Sequence, residues 1–167
     1  GLDYDYTQIV VASGAKHSVY IALAAITNPG DEIIIPAPFW VSYYEMVRMT
    51  GGTPVIVEAG EEQGFKITAQ QLEAAITDKT KCLMLNNPSN PTGMIYSADE
   101  LRALADVCVK HDLYILADEI YYQLIYDGVE FTSIASLGEE VKERTLLVNG
   151  VSKSYAMTGW RVGYCAA

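Results

Sequence analysis

Short apolar runs rich in Val, Ile and Leu alternate with helix-patterned stretches along the whole of this sequence. That alternation limits the fold more than any other feature. Strands separated by helices pair in parallel through crossovers, and the helices then cover both faces of the sheet. The expectation is an α/β fold of three layers, a mostly parallel sheet flanked by helices. Strands are predicted over residues 8–12, 32–35, 53–57, 81–85, 113–117, 145–148 and 162–166. Helices are predicted over residues 16–27, 41–49, 68–77 and 98–110, the first ending at Asn28-Pro29-Gly30 and the second at Gly51-Gly52. Thr68 suits an N-cap, and Ser97 with Glu100 three residues on forms a capping box. Residues 127–143 are the least regular and are expected to be exposed.

Composition matters here for what it excludes. A chain of 167 residues with half its residues hydrophobic and 19% charged is long enough for one domain with a sizeable core. A formal net charge of −10 argues against nucleic acid or an anionic membrane as partner, since both require a basic face. The longest apolar run, residues 19–26, is too short to span a bilayer, and no signal peptide is visible. Three widely spaced cysteines, Cys82, Cys108 and Cys165, read as buried free thiols in a reducing compartment, so a cytoplasmic location is expected. His17 and His111 are isolated, and no metal site is expected. The chain lacks an initiator methionine and stops within an apolar run, Tyr164-Cys165-Ala166-Ala167, which suggests part of a longer protein.

In an open parallel sheet, ligands bind outside the carboxyl ends of the strands. The unusual residues of this sequence fall there repeatedly. Ser13-Gly14-Ala15-Lys16 follows the first strand and opens a helix, whose free N–H groups and positive dipole end suit phosphate; an ordinary strand-to-helix turn is the competing reading. Trp40, after Pro36-Ala37-Pro38-Phe39, is either a core aromatic or a flat stacking surface. Asn86-Asn87-Pro88-Ser89-Asn90-Pro91-Thr92-Gly93 is stiffened by its prolines, so the Asn90 amide is either a steady donor or a turn residue. Asp118-Glu119-Ile120-Tyr121 leaves a buried strand, and a carboxylate there needs a cationic or donor partner. Lys153 lies between Ser152 and Ser154 just past the strand at 145–148, with Arg161 eight positions on as a candidate anion clamp. A poorly solvated lysine at that place would be a good nucleophile for Schiff-base chemistry; a surface lysine is the plain alternative.

In combination, Asn90-Pro91-Thr92-Gly93, Asp118-Glu119-Ile120-Tyr121 and Ser152-Lys153 followed by Met157-Thr158-Gly159-Trp160-Arg161 resemble the class I pyridoxal-phosphate-dependent aminotransferases. The likeness is to the aspartate aminotransferase-like branch of fold type I, and it covers the whole chain. It implies transamination of an L-amino acid, aspartate first, with a 2-oxo acid such as 2-oxoglutarate. Pyridoxal 5'-phosphate would be held as an internal aldimine on Lys153, which also moves the proton between the substrate's α carbon and the cofactor's C4' carbon. Asp118 would pair with the pyridine nitrogen, Asn90 and Tyr121 with the phenolic oxygen, and Trp40 would stack on the ring. Gly14, Ala15, Lys16, Ser152 and Arg161 would grip the phosphate.

The same resemblance implies that residues 1–167 are a cofactor-binding large domain of a homodimeric enzyme. The N-terminal arm and the small domain, with the arginine that takes the substrate's α-carboxylate, have no counterpart in this chain. Little or no turnover is therefore expected from these residues alone. Three rivals stand: a carbon–sulfur β-lyase or aromatic aminotransferase with the same cofactor, a doubly wound nucleotide-binding domain, and a non-catalytic fragment. The run Met157 to Arg161 counts against the β-lyase, and the missing Gly-x-Gly-x-x-Gly counts against the nucleotide-binding domain.

Overall fold

The computed structural model describes residues 2–167. Seven strands, β1 (Ile9–Ser13), β2 (Glu32–Ala37), β3 (Thr53–Glu58), β4 (Thr80–Asn86), β5 (Tyr114–Asp118), β6 (Thr145–Gly150) and β7 (Val162–Ala166), form one sheet in the order β1-β7-β6-β5-β4-β2-β3. Neighbours from β3 to β6 pair in parallel, and β7 runs antiparallel to both β6 and β1. The mostly parallel, helix-flanked architecture is thus the expected one.

Successive side chains of a strand point to opposite faces, and here both faces are covered. Ile33, Ile35, Cys82, Met84, Leu116 and Val148 pack beneath α1 (Ala15–Ile26) and α2 (Ser42–Met49). Ile34, Leu83, Leu85, Ile115, Ala117 and Leu147 face the other way, toward α3 (Ala69–Ala75), α4 (Ala98–Lys110) and α5 (Glu139–Lys142). Two-sided burial explains why the middle of each central strand is a continuous apolar run. Each such Leu or Ile contributes roughly 1.5–3 kcal/mol relative to an exposed one. The three cysteines lie buried in this core as free thiols.

Local chemistry sets the helix starts. The Glu100 N–H donates to Ser97 Oγ at 3.2 Å while the Ser97 N–H donates to Glu100 Oε2 at 2.7 Å, the reciprocal pair that the sequence predicts. Thr68 makes the same box with Gln71. The helix at α4 and the strand at β7 have the bounds predicted for them. The strands β4, β5 and β6 run one or two residues further than predicted, which makes Asn86 and Asp118 the final rungs of two neighbouring strands.

Residues 127–143 depart from expectation. Asp127–Thr132 is irregular, but a 3-10 turn at Ile134–Ser136 and the short α5 follow, and Ile134, Ala135, Leu137 and Val141 are buried. Apolar side chains spaced three to four apart place one face of this segment against α4, and core burial anchors what local polarity left unassigned.

Leu83→Ala, in the middle of β4 and fully buried, should cost about 2–5 kcal/mol in urea unfolding because it leaves a cavity. Ser97→Ala should cost only about 1 kcal/mol, since it removes one cap from an exposed helix end.

Candidate active site

The carboxyl ends of β1, β2, β4, β5 and β6 and the loops after them enclose a cavity of about 290 Å³. Nine of the ten residues singled out in the sequence line it: Ala15, Lys16, Trp40, Asn90, Asp118, Tyr121, Ser152, Lys153 and Arg161. Gly14, the tenth, lies directly behind Arg161. It has a left-handed φ of 84°, and a Cβ there would meet the Arg161 guanidinium carbon at 2.9 Å. Gly163 is equally constrained, because a Cβ would come within 2.8 Å of Ala15 Cα. Two glycines thereby let β7, the turn into α1 and the arginine meet at one corner.

The floor of the cavity is Asp118, only 4% exposed. Register pairs it with Asn86 across the β4–β5 ladder. Its Oδ2 accepts the Tyr43 hydroxyl at 2.7 Å and its Oδ1 accepts the Ile120 N–H at 3.2 Å. Burial pushes the carboxyl up from the ordinary range, and those two donors work in the opposite direction. The partner expected from sequence is therefore a donor and not a cation: among the described residues Asp118 takes part in no ion pair.

Beside it, the Asn86 amide donates to the Asp118 carbonyl at 2.8 Å and accepts the Asn90 N–H at 2.7 Å. This clamp ties the proline-rich loop to the end of β5. Asn90 Nδ2 then donates to the Tyr121 hydroxyl at 3.4 Å, so these two polar groups share one edge of the cavity. Trp40 stands edge-on to Tyr43, with ring centroids 5.4 Å apart, and the Lys16 ammonium lies 4.7 Å from its ring centre. Ser152 is buried, and Arg161 sits in a left-handed turn with its guanidinium donating to the Thr158 carbonyl at 3.0 Å.

Lys153 corrects the sequence reading. It lines the cavity, with its amine 5.8 Å from the centre of the Tyr121 ring, but it is exposed and not desolvated. The turn after β6 carries it beyond the end of the sheet, where one aromatic side chain cannot exclude water. Tyr43 and Asn86 are the groups that the sequence did not single out. Asn86 sat within the loop already noted, whereas Tyr43 lies unremarked in the helix predicted over residues 41–49 until the fold brings it across 75 positions to Asp118.

Glu119 points the opposite way, as the residue next to Asp118 on a strand end must. It borders a cavity of about 470 Å³ on the other face, together with Tyr4, Asn149 and Tyr164, and no lysine or arginine lines that space. Among the described residues, no cluster of His, Cys, Asp and Glu could hold a metal ion, and no helix is long and apolar enough to cross a membrane.

Comparison with known proteins bears on this arrangement. A family model described as aminotransferase class I and II matches residues 1–167. The chain is 53% identical over 166 residues to the aspartate aminotransferase of Geobacillus stearothermophilus, an alignment covering 99% of this chain and 42% of that protein. It is 53% identical over 164 residues to the asparagine–oxo-acid transaminase of Streptococcus mutans, covering 98% and 42%. The crystal structure of the aspartate aminotransferase from Rhizobium meliloti superposes with a TM-score of 0.97 at 47% identity, over 100% of this chain and 42% of that one. The chain thus spans well under half the length of these relatives.

Burial holds the Glu119 carboxyl up at about 8, against the opposing hydrogen bonds from Ser133 and the Ile134 N–H. The unfolded chain releases that proton near 4.5, so between about pH 4.5 and 8 the folded state holds more protons and stability falls as pH rises. Chemical denaturation should show a loss on the order of 5 kcal/mol across that window. Glu119→Gln, which keeps both hydrogen bonds, should flatten most of it.

Proposed function

The chain belongs to the aminotransferase class I and II family, and from that premise we propose that it is the cofactor-binding domain of a pyridoxal-phosphate-dependent aminotransferase. Aspartate is the proposed amino donor, in keeping with the names of its relatives, and 2-oxoglutarate the proposed acceptor. One observation carries this reading: a buried carboxylate at the end of β5, Asp118, and an amine and a guanidinium from the connection between β6 and β7, Lys153 and Arg161, open on a single cavity.

The residues present fit the group. Pyridoxal 5'-phosphate supplies an aldehyde for an amine and a ring that withdraws electrons from the substrate's α carbon when its nitrogen is protonated. Asp118 offers that nitrogen an anionic partner on the cavity floor, and among the described residues it is a buried acid in no ion pair. A charge pair completed only on binding, in a site shielded from water, is worth more than the same pair at the surface. Tyr121 and Asn90 supply a hydroxyl and an amide for the ring oxygen. Trp40 offers a flat apolar surface, and its T-shaped contact with Tyr43 limits how far that surface can rotate.

The phosphate would rest on the first turn of α1. Gly14 is its N-cap, and the N–H groups of Ala15 and Lys16 fall in the first turn, which has no preceding helical carbonyls to occupy them. Ser152 and Arg161 would add a hydroxyl and a bidentate guanidinium from the other side. Lys153 Nζ would hold the group at its aldehyde carbon, with loss of water, and when free would carry the proton between the substrate's α carbon and the cofactor's C4' carbon. It has no carboxylate partner among the described residues, so nothing has to be broken to free the amine. An exposed amine also implies that closure over it comes from cofactor, substrate or a further part of the protein. We place the α-carboxylate site in that further part, within a homodimer, because the relatives extend well past the span aligned here.

Borohydride reduction after incubation with pyridoxal phosphate should label one peptide, that containing Lys153, and Lys153→Ala should abolish the label; an unlabelled wild type would overturn the assignment. In the complete enzyme with aspartate and no acceptor, one oxaloacetate per bound cofactor is expected, whereas repeated release of pyruvate, ammonia and a thiol from cystathionine would mark a carbon–sulfur lyase. In the complete enzyme, Asp118→Asn should lower turnover at least about 100- to 1000-fold. The 167 residues alone should turn over little in a coupled assay, and substantial activity from them would refute the division into domains proposed here.

A further inference from the structure

We infer that Tyr43 is a positioning residue for Asp118: its hydroxyl clamps one carboxylate oxygen, holding the ionised acid oriented toward the cavity for the pyridine nitrogen. The inference rests on the reading of Asp118 given above. Its structural basis is independent of that reading.

Tyr43 is 2% exposed and sits in the first turn of α2, on the face that packs against the sheet. A tyrosine buried this deeply needs a partner for its hydroxyl, and Asp118 Oδ2 at 2.7 Å is the one it has. The Ile120 N–H holds the other oxygen at 3.2 Å. Each oxygen spends one acceptor site on these bonds and keeps another for a ligand, since an ionised carboxylate has about four. The plane of the carboxyl is therefore set from two sides before anything binds.

The same turn sets Trp40. The Tyr43 N–H donates to the Trp40 carbonyl at 3.0 Å, and the two rings meet edge to face. One turn of chain between β2 and α2 thus governs both the aromatic wall and the orientation of the acid. A merely structural Tyr43 would fill the core equally well as phenylalanine, so the hydroxyl is what discriminates.

Ionisation provides the test. A hydroxyl bound to a carboxylate is held about twice as strongly as one bound to a neutral acid. Removing it should harm the ionised form selectively. The titratable groups facing Asp118 are Tyr43 from α2, Tyr121 beyond the end of β5, and Lys16, Lys153 and Arg161 across the cavity; Glu119 adjoins it but faces the opposite side. All except Tyr43 are common to wild type and variant and cancel in their difference.

Tyr43→Phe should be measured by urea unfolding across the pH range and by titration with pyridoxal 5'-phosphate. The gap in folding equilibrium constant between wild type and variant should widen about tenfold as Asp118 ionises, and cofactor affinity should fall about tenfold. A gap constant with pH, or unchanged cofactor affinity, overturns the inference. In an Asp118→Asn background, Tyr43→Phe should produce no pH-dependent gap, and persistence of one would also overturn it. Asp118→Asn by itself tests the parent reading: if cofactor binds that variant as well as wild type, the role of Asp118 fails, whatever Tyr43 does to its titration.

Discussion

A carboxylate buried at the end of the central strand is the constraint on which this structure turns. Asp118 is almost fully removed from water, yet among the described residues no cation meets it. Such a group is tolerated only with donors aimed at it, and α2 and the backbone after β5 supply two. Most of the neighbouring architecture follows from that requirement. The Asn86 clamp, the stiff loop to Asn90 and the turn from Trp40 to Tyr43 all lock onto the same few atoms.

The sheet makes this possible by separating the packing from the chemistry. Its two faces hold apolar clusters with helices over each, and neither cluster borders the polar loops along more than its edge. The loops can therefore carry groups that are costly to fold around, such as an arginine in a left-handed turn or a glycine at φ 84°. Glu119 illustrates the same geometry in reverse. One residue along from Asp118, it faces the opposite side, and burial there keeps its proton at pH values where most glutamates have lost it.

Much of the fold could be read from the residues because the signals are local. The N-cap at Thr68 and the capping box at Ser97 involve only residues within three positions of each other, and α4 has the predicted bounds. The apolar strands announce two-sided burial directly. Residues 127–143 were harder, since Ile134, Leu137 and Val141 reveal a buried face only when α4 is present to receive it. The candidate site divides similarly. Loops at strand ends could be assigned to one rim from chain order alone, and nine of the ten chosen residues line one cavity there. The solvation of Lys153 could not be assigned, because it depends on how far the turn after β6 projects past the sheet.

Pattern and composition by themselves determined the layers, the order of elements, the edge of the sheet where polar groups collect and, through the resemblance of its motifs, the kind of chemistry to expect there. Those properties follow from periodicity and from residues close together in the chain. Tertiary structure alone decided that Tyr43 is the donor to Asp118, that Gly14 lies behind Arg161, and that Lys153 stands in water and not in the core. Each of these joins segments far apart in sequence, and a contact of that kind exists only once strand register and helix packing have set where both partners lie.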